Sequence, residues 1–78
     1  MKPKTAVYLL TDIIFSLDES DSLSGEMCRK IGEELYNTGG TDYLFITMRL
    51  LTEELSDYNR GYLREIEWCW NGIGEYQA

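Results

Sequence analysis

The chain contains no histidine among its 78 residues. That removes the commonest metal ligand, the usual general base and the one side chain that switches charge near neutral pH. Proline occurs once, as Pro3, and 44% of the residues are hydrophobic, so the composition is globular and not that of a disordered segment. The two cysteines, Cys28 and Cys69, form no Cys-x-x-Cys pair and are too few for a small secreted disulfide scaffold. Both lie inside apolar patterns, so they read as small buried hydrophobes in a reducing compartment. No apolar run approaches the ~20 residues of a membrane span. The start, Met1-Lys2-Pro3-Lys4 followed by Ala6 to Leu10, imitates a signal peptide only until Asp12 interrupts it, and no small-x-small cleavage site follows. The expectation is a cytoplasmic protein. Basic residues are also scarce: seven Lys and Arg against fourteen Asp and Glu leave a net charge of −7. Such a chain repels nucleic acid and anionic membranes, so direct binding to either is not expected.

What is present fits one domain, residues 1–78, around one core. A chain this short buries only about 60% of its unfolded surface, so each large side chain matters. The first segment, residues 5–19, repeats Ala6, Leu9, Leu10, Ile13, Ile14 and Leu17 at helical spacing, with the β-branched Val7, Ile13 and Ile14 leaving a strand as the alternative. Asp21 or Ser22 can then cap a second helix over residues 23–37, striped by Met27, Ile31 and Leu35. Gly32 sits in its middle, where it admits the close approach of another helix, and Asn37-Thr38-Gly39-Gly40 ends it. The third helix, residues 41–57, carries Leu44, Met48, Leu51 and Leu55 on one face, with Thr41 as the expected N-cap. Residues 62–70 fit two readings. As a helix they place Leu63, Ile66 and Trp70 on one face; as a strand they alternate Ile66, Trp68 and Trp70 with Glu65, Glu67 and Cys69, and Asn71-Gly72 becomes a hairpin turn. The helix is preferred because too few residues follow for a return strand. The expected fold is therefore mainly α, a small three- to four-helix bundle, with an α+β form ending in a short C-terminal β-hairpin as the alternative.

The motifs that carry chemistry fail on inspection. A calcium loop starting at Asp18 needs glycine at its sixth position and a carboxylate at its twelfth, which hold Leu23 and Arg29. Gly72-Ile73-Gly74 lacks the rest of a dinucleotide fingerprint. The pairs Glu33-Glu34 and Glu53-Glu54 diverge by about 100° on a helix, which does not suit paired-carboxylate catalysis. Arg29 and Lys30 follow Cys28 in sequence but point away from it on a helix. No catalytic residue, cofactor site or metal site is assigned, and the expectation is a protein that is not an enzyme.

Two positive signals remain. The acids form two groups, Asp12, Asp18, Glu19, Asp21 and Glu26 in a stretch with no Lys or Arg, and Glu53, Glu54, Asp57, Glu65, Glu67 and Glu75, diluted by Arg60 and Arg64, of which Glu53, Glu54 and Asp57 are the candidate face. Either can be a solvated surface or the face that meets a basic partner. Large aromatics concentrate at the C-terminus, namely Tyr58, Tyr62, Trp68, Trp70 and Tyr76. Most are expected to close the core. On a helix that buries Ile66 and Trp70, Trp68 points away and becomes the candidate interface anchor.

The ending Trp70-Asn71-Gly72-Ile73-Gly74-Glu75-Tyr76 resembles the tails of short proteins carried by phages and other mobile elements, in which an aromatic, a Gly-x-Gly turn and a final aromatic close the chain. The resemblance covers about a tenth of the sequence and transfers no functional residue. It implies a bacterial host cell and a counter-defence context, the class that includes anti-CRISPR proteins and anti-restriction DNA mimics. The acidity fits, because carboxylates can enter the basic channel in which such targets hold nucleic acid. The expectation is a non-catalytic inhibitor that covers a basic nucleic-acid-binding complex. A homodimeric structural or assembly protein is the alternative.

Overall fold

A computed structural model of the protein describes residues 1–18, 21–55 and 57–77, with Tyr58 described by its backbone. Among these residues it contains four α-helices and no strand: α1, Pro3–Ser16; α2, Gly25–Gly39; α3, Thr41–Glu54; and α4, Gly61–Trp70. A single 3-10 turn, Asp57–Asn59, leads into α4. The fold is thus the mainly α bundle, and residues 62–70 take the helical reading. The radius of gyration, 11.4 Å, equals the roughly 11.5 Å of a compact body of this length.

Helix ends follow local chemistry. Pro3 opens α1, where its missing N–H would have no intrahelical partner. α2 starts later than the sequence suggested, because Ser24 and not Asp21 or Ser22 is its N-cap; the Ser24 hydroxyl accepts from the Met27 N–H at 3.3 Å. Asp21 is engaged elsewhere, its carboxylate accepting from the Asp18 N–H at 3.3 Å across the turn after α1. Leu23, just before the cap, and Cys28, at the fourth helical position, line one small cavity, the arrangement of a hydrophobic staple. Gly40 alone joins α2 to α3. Its N–H caps α2 on the Tyr36 carbonyl at 2.8 Å, and its φ of +73° is a conformation that side chains disfavour. Gly40 therefore takes the N-cap place expected of Thr41. The Thr41 hydroxyl instead accepts from the Glu75 N–H at 3.4 Å, tying the tail to α3.

The core forms where the buried faces of the four helices meet. α1 contributes Ala6, Leu10 and Ile14; α3 contributes Leu44, Met48 and Leu51, continued by Leu55 just past its end; α4 contributes Ile66 and Trp70. The α2 stripe differs from the expected one. Met27 is 52% exposed, and Cys28, Ile31, Gly32 and Leu35 are buried. The reason is that Gly32 belongs to the buried arc, which rotates it by about 50° away from Met27. A Cβ on Gly32 would stand 2.5 Å from the Trp70 indole and 2.9 Å from Cδ1 of Ile73. The glycine thus makes the slot that Trp70 fills, and the indole N–H donates to the Cys28 carbonyl at 2.8 Å.

The tail then folds back over this contact. Gly72, with φ +90°, donates its N–H to the Tyr76 carbonyl at 2.9 Å, and Gly74, with φ +57°, packs against Tyr36. These two left-handed residues turn Ile73 and Tyr76 into the core. Tyr76 meets Trp70 edge to face at 6.0 Å and Phe45 at 5.0 Å. The aromatic, Gly-x-Gly, aromatic ending is therefore a closing device for the core.

Candidate protein-binding surface

The helical phase that buries Ala6, Leu10 and Ile14 turns Tyr8, Asp12 and Phe15 the opposite way, at i, i+4 and i+7 along α1. Tyr8 is 74% exposed and Phe15 65%, and Asp12 is exposed between them. Tyr8 lies one turn before Asp12 and Phe15 one turn after it, so an acid and two rings share one exposed helix face.

The groove beside this stripe brings in the second acidic group. Lys4, Val7, Tyr8 and Thr11 of α1 face Leu50, Glu53 and Glu54 of α3 across a cleft of about 350 Å³. Asp12 and Phe15 lie outside this lining, whereas Glu53 and Glu54 share the groove with Tyr8. Both are exposed in the last turn of α3, which carries no basic residue. Carboxylates at a helix C-terminus oppose the helix dipole, so helix stability does not account for them. Among the described residues lining this cleft, Lys4 alone carries a positive charge.

The remaining acids go elsewhere. Asp18 and Asp21 build the turn past the far end of α1, where the Asp21 N–H also donates to the Asp18 carbonyl at 3.0 Å. Roughly 18 Å of helix separates that end from Lys4. Glu26 lies in the first turn of α2, exposed and well placed for the helix dipole. Asp57 pairs with Arg60 at 3.4 Å on the open surface, a contact that contributes little to stability. Glu19 lies outside the described residues, as does the side chain of Tyr58. The structure thus divides the first acidic group, with Asp12 on the exposed face of α1 beside Tyr8, Asp18 and Asp21 past its far end, and Glu26 on α2.

Trp68 is 71% exposed on α4, while Ile66 and Trp70 are buried. Tyr62 is half-buried against the core, and Tyr76 is inside it. Sequence reasoning singled out Trp68 and passed over Tyr8 and Phe15, although the same helical phase that selects Trp68 would have selected them.

Two groups have shifted acidities. Burial first, then the neighbouring Cys69 thiol and the Glu65 carboxylate, push the Cys28 thiol well above its ordinary range. Burial, with the charge of Glu67, pushes the Tyr76 hydroxyl up to about 12. Among the described residues, no three His, Cys, Asp or Glu side chains are grouped to hold a metal ion. No described helix is long and apolar enough to cross a membrane.

No family model, curated protein or solved structure matches this chain.

Proposed function

We propose that the protein is a non-catalytic binding factor that docks a basic protein surface onto the outer face of α1. The observation that carries this reading is an exposed α1 face of Tyr8, Asp12 and Phe15 whose Tyr8 end borders a groove lined by Glu53 and Glu54. Aromatic residues supply most of the energy at binding hot spots, and the acids steer a cationic partner and select for it. A net charge of −7 adds long-range attraction at low salt. The partner that suits this face is a nucleic-acid-handling protein whose arginine-rich channel ordinarily holds phosphates. Occupying that channel would block the nucleic acid, which is the action of a counter-defence inhibitor.

The test is competition. A partner captured from cells of the source should release its DNA or RNA when this protein is added, and the protein should lose its hold as salt rises. A partner that keeps its nucleic acid at saturating protein would contradict the inhibitor reading. Exposed Leu9, Phe15 and Phe45 favour one other reading, a homo-oligomer that buries them. It requires a mass in light scattering that grows with concentration, and a constant monomer mass would remove it.

A further inference from the structure

Cys28 and Cys69 lie far apart in sequence and meet where α2 crosses α4. Cys28 is buried in the first half of α2, and Cys69 is half-buried as the penultimate residue of α4. Three hydrogen bonds fix the crossing beside them. The Arg29 guanidinium donates through Nη1 to the carbonyls of Cys69 at 3.0 Å and Asn71 at 3.1 Å. The Trp70 indole donates to the Cys28 carbonyl at 2.8 Å. The Cys69 sulfur lies 3.7 Å from the place of a Cβ on Gly25, which is one turn before Cys28 on the same face of α2. The Cys69 thiol is thus a neighbour of Cys28, near enough to raise its pKa. Both are reduced in this structure.

We propose that Cys28 and Cys69 are a modification site, oxidised to an intramolecular disulfide by exchange with a low-molecular-weight disulfide such as oxidised glutathione. Cys69 reacts first because it is the more exposed of the two. Its thiolate attacks one sulfur of the small disulfide, the small S–S bond breaks, and one small thiol leaves with a proton. The Cys28 sulfur then attacks the Cys69 sulfur of the mixed disulfide, and the second small thiol leaves with the second proton. Two protein thiols are oxidised by two electrons, and one small disulfide is reduced to two thiols. The second step is slow near neutral pH, since burial beside Glu65 holds the Cys28 thiol protonated. The product staples α4 and its tail to α2 and closes a long loop, which restricts the unfolded chain.

The experiment treats the full chain with oxidised glutathione and follows mass and denaturant midpoint. The mass should fall by two hydrogens, without dimers and at a rate unchanged by dilution, and digestion should yield a linked Cys28–Cys69 peptide. The urea midpoint should rise and return when dithiothreitol is added. Cys28→Ser should instead accumulate a glutathione adduct on Cys69, and Cys69→Ser should stay unmodified. A Cys69 adduct that fails to resolve to the disulfide when the pH is raised, disulfide-linked dimers, or two thiols that remain free would each overturn the proposal.

Discussion

The seam between α2 and α4 and the outer face of α1 are both rich in aromatic and apolar side chains, but they treat them in opposite ways. At the seam Trp70 fills the slot over Gly32, its N–H is satisfied by the Cys28 carbonyl, and Arg29 binds two α4-end carbonyls. On α1, Tyr8 and Phe15 stand in solvent around Asp12. Trp68 and Trp70 repeat the contrast within one helix, two positions and about 200° apart. Composition does not separate the two regions. Helical phase and a single glycine do: the residue opposite a buried stripe is free to bind, and the residue opposite a missing Cβ is committed to the core.

The strongest way to break this comparison is at Trp70. Trp70→Ala should cost about 3–5 kcal/mol in urea unfolding, comparable with the whole stability of a domain this size. A cost under about 1 kcal/mol would mean that the seam does not hold the fold. Gly32→Ala tests the slot by its sign. Alanine is the better helix former by about 1 kcal/mol, yet it should destabilise by about 1–3 kcal/mol here because its methyl meets the Trp70 ring. A stabilised variant would show that the indole can move aside.

High pH gives a third test. Tyr76 is neutral in both states below pH 10, its ordinary value, and its folded pKa is raised to about 12. Between these values the unfolded chain gives up the proton first. The stabilisation is therefore complete below pH 10 and is lost as pH rises toward 12. Cys28, also raised, adds a loss of the same sign that begins near its ordinary value of 9.0. Tyr76→Phe should keep the cysteine part of the decline and remove the rest, as read from urea midpoints across that range. An unchanged slope would place the Tyr76 hydroxyl in solvent. The smallest effects belong to the other region. Trp68→Ala, Tyr8→Ala and Phe15→Ala should each leave stability within about 0.5 kcal/mol of the parent. A larger loss would assign that ring to the core.

Much of the fold could be read from spacing alone. Leu44, Met48, Leu51 and Leu55 are all buried as their period requires, and the helical reading of α4 separates Trp68 from Trp70. The failures have a common physical origin, namely contacts between residues distant in sequence. The burial of Cys28 and a close approach at Gly32 were legible, but Met27 faces solvent because it is Trp70, distant in sequence, that enters at Gly32 and turns that arc inward. Thr41 looks like a cap, but the backward fold of the tail and the left-handed Gly40 reassign it. The acids group by sequence position, whereas the α1–α3 groove sets Glu53 and Glu54 beside Tyr8 of a helix distant in sequence. The meeting of Cys28 with Cys69 depends on the same α2–α4 crossing.

The proposal that the outer face of α1 is the binding surface is tested most directly by a charge-reversal comparison. The partner recovered by affinity capture is titrated, at low and high salt, against the parent protein, against Asp12→Lys/Glu53→Lys/Glu54→Lys, and against Asp18→Lys/Asp21→Lys, with circular dichroism confirming the fold of each. The account predicts that the first variant loses at least about 30-fold in affinity, the scale of a hot-spot loss, with most of the salt dependence, while the second stays within a few-fold of the parent. Equal losses in both variants, or none in either, would contradict a binding surface centred on Tyr8, Asp12 and Phe15.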